Sequence, residues 1–170
     1  MFSVLVADPP WPEKKGLIPW GSADSHYNLM TLVDIKAFGL PELQRDCWLF
    51  LWCPQRRIKD ALEVMQAWAF KDTGSALVWC KQNAKNGGQV MGLGYYFRMS
   101  HEFLLLGKRG KPKPLSHSIR SIFFAPRGRH SEKPDEAYRI IERFSNGPYC
   151  ELFARKPRPG WTTYGKELAK

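Results

Sequence analysis

Apolar residues in this chain follow two patterns, short near-continuous runs and stretches spaced by three and four, and the two alternate along the sequence. FSVLVA (2–7), CWLFLWC (47–53), SALVWCK (75–81), HEFLLLGKRG (101–110) and YCELFAR (149–155) are runs of the kind that strands covered on both faces require, and SIFFAP (121–126) reads as a shorter one. Between the second and third runs, Ile58, Ala61, Leu62, Met65, Trp68 and Ala69 share one helical face, with Lys59, Asp60, Glu63 and Gln66 opposite. Strand, helix and strand in that order form the unit that builds a parallel sheet. A second helix is predicted over KPDEAYRIIERF (133–144), with Pro134 suited to the first helical position and Asp135 and Glu136 to the positive end of the dipole. Its buried stripe is Ala137, Ile140, Ile141 and Phe144, and NGP ends it. The final stretch, KPRPGWTTYGKELAK, is rich in Pro and Gly and reads as irregular apart from a last turn. The pattern predicts one α/β domain over residues 1–170.

Composition narrows the partners. A formal net charge of +10 favours a polyanion, nucleic acid before an acidic membrane. Cys47, Cys53, Cys80 and Cys150 form no CxxC pair and no zinc-like cluster with His, so they are expected to be reduced core cysteines, with no metal site. The run CWLFLWC is far short of the roughly 20 apolar residues that cross a bilayer, and no signal-peptide pattern opens the sequence, so a soluble, cytoplasmic protein is expected. Residues 12–27 and 83–98 read as long loops that mix Gly with aromatics and cations, among them Lys14, Lys15, Tyr27 and Arg98, and loops of this length are more often functional than filler.

The first strand runs into Asp8-Pro9-Pro10-Trp11. Ligands of open α/β sheets bind beyond the carboxyl ends of strands, and the two prolines stiffen a rim that offers the Asp8 carboxylate and the Pro9 carbonyl as acceptors beside an indole face. That arrangement suits a flat substrate with an NH2 group, such as adenine; a structural Pro-Pro turn capped by Asp is the plain alternative. ADPPW resembles the catalytic motif of the MT-A70 family of S-adenosylmethionine-dependent adenine-N6 methyltransferases. The likeness continues in order through HYNLMTLVDI, CWLFLWC, ALVWCK, HEFLLLGKRG, RHSEKPDEAYRIIERFS and ELFAR with GWTTYGKE.

The resemblance implies a Rossmann-like class I methyltransferase sheet with helices on both faces and a permuted motif order, the amine-binding strand ahead of the cofactor strand. It places Asp8 and Pro9 on the target amine, with Pro10 and Trp11 shaping the slot and the Trp11 indole over the base, clear of the core. Tyr27 and Glu102 fall on the substrate side, with Lys14, Lys15 and Arg98 as further substrate contacts. Ala7, Asp8, Lys133, Phe153, Arg155, Lys166 and Glu167 fall on the S-adenosylmethionine side, Lys133 at its carboxylate and Glu167 at its ribose. Lys166 stands where relatives have Asn, and a contact that relatives make from a linker that is short here is either missing or replaced by Arg158. Two groups of cations, Lys108, Arg109, Lys111 and Lys113, and Arg120, Arg127 and Arg129, are expected close enough to the pocket to track a phosphate backbone. The expected acceptor is adenine in DNA. RNA adenine, cytosine N4 and a non-catalytic nucleic-acid-binding subunit are the alternatives, and the chain is a monomer or a homodimer through the 83–98 loop.

Overall fold

The computed structural model describes residues 1–12, 29–94, 96–128 and 132–165. Seven strands form one mixed sheet in the order β5-β3-β4-β2-β1-β6-β7, where β1 is Phe2–Ala7, β2 Leu43–Cys53, β3 Lys71–Gln82, β4 His101–Arg109, β5 Ile122–Pro126, β6 Tyr149–Leu152 and β7 Trp161–Tyr164. Among the described residues three α-helices flank it: α1 (Leu32–Lys36), α2 (Ile58–Ala67) and α3 (Asp135–Phe144).

The period of two along the strands divides the core. Leu5, Ala7, Cys47, Leu49, Leu51, Cys150 and Leu152 face α1 and α2, where Ile35, Ala61, Val64 and Met65 meet them. Val4, Val6, Trp48, Phe50 and Trp52 face α3, against Ala137, Tyr138, Ile140 and Ile141. Helices therefore cover both faces, which is why the central strands read as unbroken apolar runs. All four cysteines are free and buried. Among the described residues, no helix is long and apolar enough to cross a membrane.

Several expectations need correcting. β2, α2 and β3 do form a crossover, but β4 lies between the two strands and runs antiparallel to both. The sheet is thus parallel only across β2-β1-β6-β7 and β3-β5. WTTY is strand β7 and not irregular, because it pairs in parallel with β6 from Tyr149–Trp161 to Leu152–Tyr164. On α2 the buried face uses Val64, whereas Leu62 and Ala69 are exposed; Ala69 lies past the helix end in the left-handed region. Pro134 caps α3 instead of entering it. The helix α1 had a readable signal, since Thr31 and Asp34 form a capping box.

Candidate functional site

Register places the site. β1, β2 and β6 end together, with Ala7 level with Leu51 and Leu152, and antiparallel β4 brings its first residues to the same end, Glu102 lying beside Trp79. Beyond Ala7, whose side chain is fully buried, the chain leaves the sheet as Asp8-Pro9-Pro10-Trp11. The first amide hydrogen after the prolines folds back at once: Trp11 N–H donates to the Pro9 carbonyl at 2.8 Å, a three-residue turn. The Pro9 oxygen thus keeps one lone pair for a ligand. Met30 N–H donates to the Pro10 carbonyl at 3.1 Å and ties the far side of the turn.

Trp11 departs from expectation. Its indole N–H donates to the Trp52 carbonyl at 3.0 Å, and the ring is half-buried against the α1–α2 side of the core. The indole is therefore part of the packing and its edge is fixed, rather than standing clear as a rim residue.

The Asp8 carboxylate is the first member of a chain of alternating charges. Lys133 Nζ donates to Asp8 Oδ2 at 2.7 Å and lies 3.8 Å from Glu102 Oε1, while Lys81 Nζ lies 3.2 Å from Glu102 Oε2. Both ammonium groups sit over indole faces, Lys133 above Trp52 at 5.2 Å and Lys81 above Trp79 at 5.0 Å, and the two rings meet edge to face. Burial by itself would push the Lys133 ammonium towards its neutral form, but Asp8 and then Glu102 more than reverse this and its pKa is raised. Burial likewise disfavours the Glu102 carboxylate, and Lys133 and Lys81 overcome it, so its pKa is lowered. Both groups are held charged. Arg155, just past β6, acts electrostatically on the same pair.

A second polar group lies one strand over. Tyr138 O–H donates to Glu151 Oε1 at 2.6 Å, and the Arg158 guanidinium lies 3.5 Å from the Tyr138 ring centre while bonding Asp135 at 2.9 Å. Burial raises the Glu151 pKa, against the opposing pull of the Tyr138 bond and Arg158. Arg158, expected to face a cofactor, is thus committed to α3.

Phe153 follows β6 with a φ of 61°, a left-handed conformation uncommon for a bulky residue, and its ring packs on Phe38 at 4.6 Å. β6 therefore stops at Leu152, earlier than the run CELFAR suggests. The structure brings together Ala7, Asp8, Pro9, Pro10, Trp11, Glu102, Lys133, Phe153 and Arg155 at one end of the sheet. Arg98 is exposed on the β3–β4 connection at that end. Lys14, Lys15, Tyr27, Lys166, Glu167 and Arg129 lie outside the described residues.

The two cation groups do not both adjoin the site. Lys108 pairs with Trp48, four residues back from Trp52 on β2, which is about 13 Å at the strand rise. Lys108, Arg109, Lys111 and Lys113 thus belong to the opposite end, whereas Arg120 lies two residues before β5, whose first residue Ile122 is level with Val78, towards the middle of β3. Arg127 follows β5 at the site end. Sequence reasoning missed Lys81 and Glu151. Lys81 is the cation that ends the SALVWCK run, beside the chemistry once β3 and β4 are paired. A recess of about 650 Å³ opens between β5 and the start of α3 and shares Lys133 with the carboxylate pair.

With this geometry established, comparison with known proteins adds the ancestry. A model of the MT-A70 family matches residues 2–167. The chain belongs to the MT-A70 family. Its relatives include the N(6)-adenosine-methyltransferase MT-A70-like protein of Drosophila melanogaster, 33% identical over 98% of this chain but 27% of that protein. The human N(6)-adenosine-methyltransferase catalytic subunit METTL3 is 31% identical over 98% of this chain and 28% of its own length. The type II methyltransferase M.MunI of a Mycoplasma species is 29% identical over 98% of this chain and 78% of its own length. The chain therefore spans little more than a quarter of the adenosine methyltransferases it matches. The MT-A70 match agrees with the fold observed, a Rossmann-like sheet covered on both faces.

Proposed function

We propose that this MT-A70 chain transfers the methyl group of S-adenosylmethionine to the N6 amine of adenine in nucleic acid, with DNA as the acceptor. The observation that carries the reading is the Asp8 carboxylate, fixed at the end of β1 by Lys133 and set one residue before the Pro9 carbonyl. The N6 lone pair of adenine is delocalised into its ring. Two acceptors that take the amine hydrogens favour a pyramidal nitrogen with its lone pair available. Lys133 holds Asp8 Oδ2, which leaves Oδ1 for one hydrogen and the Pro9 carbonyl for the other.

The residues present fit the cofactor. Lys133 and Lys81 place two ammonium groups at this end of the sheet, of the charge that the cofactor's carboxylate requires. Lys133 is the residue to hold the cofactor's carboxylate, and Phe153 stands just past the end of β6. S-adenosylmethionine, when bound, supplies an electrophilic methyl group on a sulfonium. Methyl transfer would make the amine proton acidic, and Asp8 Oδ1, hydrogen-bonded to it, would receive it and release it to solvent. Asp8 therefore needs to orient more than to act as a strong base, and positioning with fixed electrostatics provides most of the acceleration. An adenine in a duplex is first flipped out, at a few kcal/mol.

DNA is the first reading because a type II methyltransferase, M.MunI, matches 98% of this chain. RNA is the second reading, favoured by the names of those adenosine enzymes. The test is incubation with methyl-tritiated cofactor and duplex DNA, single-stranded DNA or RNA, followed by nucleoside analysis. N6-methyldeoxyadenosine is expected. Label in RNA alone overturns the choice of DNA, and no label in any acceptor overturns the reaction.

A further inference from the structure

The connection from β3 to β4 is folded, although no strand is assigned in it. It turns first at Asn83–Gly88, where Asn83 N–H donates to the Gly88 carbonyl at 2.7 Å, and returns so that Val90 N–H donates to the Lys81 carbonyl at 3.0 Å. A second reversal is closed by Gly92 and Met99, which exchange N–H to carbonyl bonds of 2.8 and 3.2 Å. A β-carbon on Gly94 would collide with the Phe97 carbonyl, so the tip depends on glycine. The hairpin starts beside the Lys81–Glu102 ion pair.

This ordered hairpin carries apolar side chains outward. Met91, Leu93, Tyr96 and Phe97 are all exposed, Phe97 at 81%. Single exposed apolar residues need no explanation, but four within seven positions mark an interaction surface. Charge says what it meets. The hairpin itself, residues 83–99, holds two cations, Lys85 and Arg98, and no acid, in a chain of net charge +10, and the next acid along the sequence is Glu102. Glu102 is itself buried against Lys81 and Lys133.

Resting on the reading of the chain as a nucleic-acid methyltransferase, we propose that the 83–99 hairpin is a platform for unpaired bases flanking the target adenine. The Phe97 and Tyr96 rings offer stacking faces, and Lys85 and Arg98 meet the adjoining phosphates. Aromatic rings interleaved with cations are what a single strand requires, since every base has a face to stack and every linkage a negative charge. A second copy of the chain fits less well. A two-fold contact through this hairpin would set Lys85 and Arg98 against their own counterparts, with no acid on the hairpin to offset them.

The experiment is fluorescence anisotropy of the full chain with a labelled single-stranded DNA of about 12 nucleotides, within the span of known single-strand sites, and with its duplex. Wild type, Phe97→Ala and Phe97→Trp are compared, and each is also run in sedimentation velocity. Phe97→Ala is expected to weaken single-strand binding by roughly 5-fold to 100-fold, from the loss of one stacked base, while Phe97→Trp retains it. Wild type that binds while Phe97→Ala binds equally well overturns the platform and leaves the proposed reaction standing. Wild type that binds no nucleic acid and methylates none overturns both. A wild-type dimer that Phe97→Ala converts to monomer with unchanged DNA affinity assigns the surface to a second copy and overturns the proposal.

Discussion

Two regions rise from the same end of the sheet and are built in opposite ways. Around Asp8 the charges are paired and largely buried, each ammonium is placed over an indole, and the backbone turn is stiffened by two prolines. Around Phe97 the backbone is held by hairpin bonds, and Met91, Leu93 and Phe97 are exposed on a segment whose sequence holds no acid. The difference separates two tasks. Chemistry on a weak nucleophile needs groups already in position, whereas gripping a flexible strand needs surface that is still available.

The contrast breaks most visibly at Lys133. Lys133→Met would leave Asp8 and Glu102 buried without their shared cation, and loss of about 3–5 kcal/mol of stability is expected, as for other broken buried pairs. Thermal unfolding checks it, and calorimetry should show weaker cofactor binding alongside. A Tm within a degree or so of wild type would mean that the charged knot is not structural. Asp8→Asn is expected to lower turnover at least about a hundredfold, close to 2.7 kcal/mol, while cofactor affinity holds or improves because Lys133 loses a competitor. Single-turnover methylation beside calorimetry decides it, and unchanged turnover would remove Asp8 from the reaction. Trp11→Phe keeps a ring but loses the bond to the Trp52 carbonyl, and about 1 kcal/mol of stability is expected to go with it. Denaturant titration reads this, and no loss would return the indole to the rim. On the hairpin side, Phe97→Ala should change stability by less than about 0.5 kcal/mol, as surface substitutions usually do. A large drop in the same titration would show that the outward rings are packed after all and would erase the contrast.

Much of this was readable from the residues. The quartet and Lys133 sit at element boundaries that the apolar runs define, so their meeting follows once β1 and α3 are packed on the same sheet. The direction of β4 was harder, because a strand apolar on both faces reads the same either way. The missed signal was the connection: residues 83–98 contain no helical pattern, and a parallel neighbour needs a crossover. β7 was hidden because four residues between Gly160 and Gly165 carry little pattern, and their strand character comes from pairing with β6. Trp11 shows a limit of another kind. Its place in the motif identified a position on the rim, but only the packed turn shows where the ring and its N–H go.

The antiparallel course of β4 has a consequence for how such a site can change over time. Were β4 parallel to β3, its start would lie at the far end of the sheet and the connection would have to cross a whole face. Instead both ends of that connection stay on the rim that carries Asp8 and Glu102. Exposed side chains such as Met91, Leu93 and Phe97 can be exchanged there without shifting the register of any strand or uncovering either core. The edge beside it can therefore diversify while the charged cluster at Asp8 and Lys133 remains untouched.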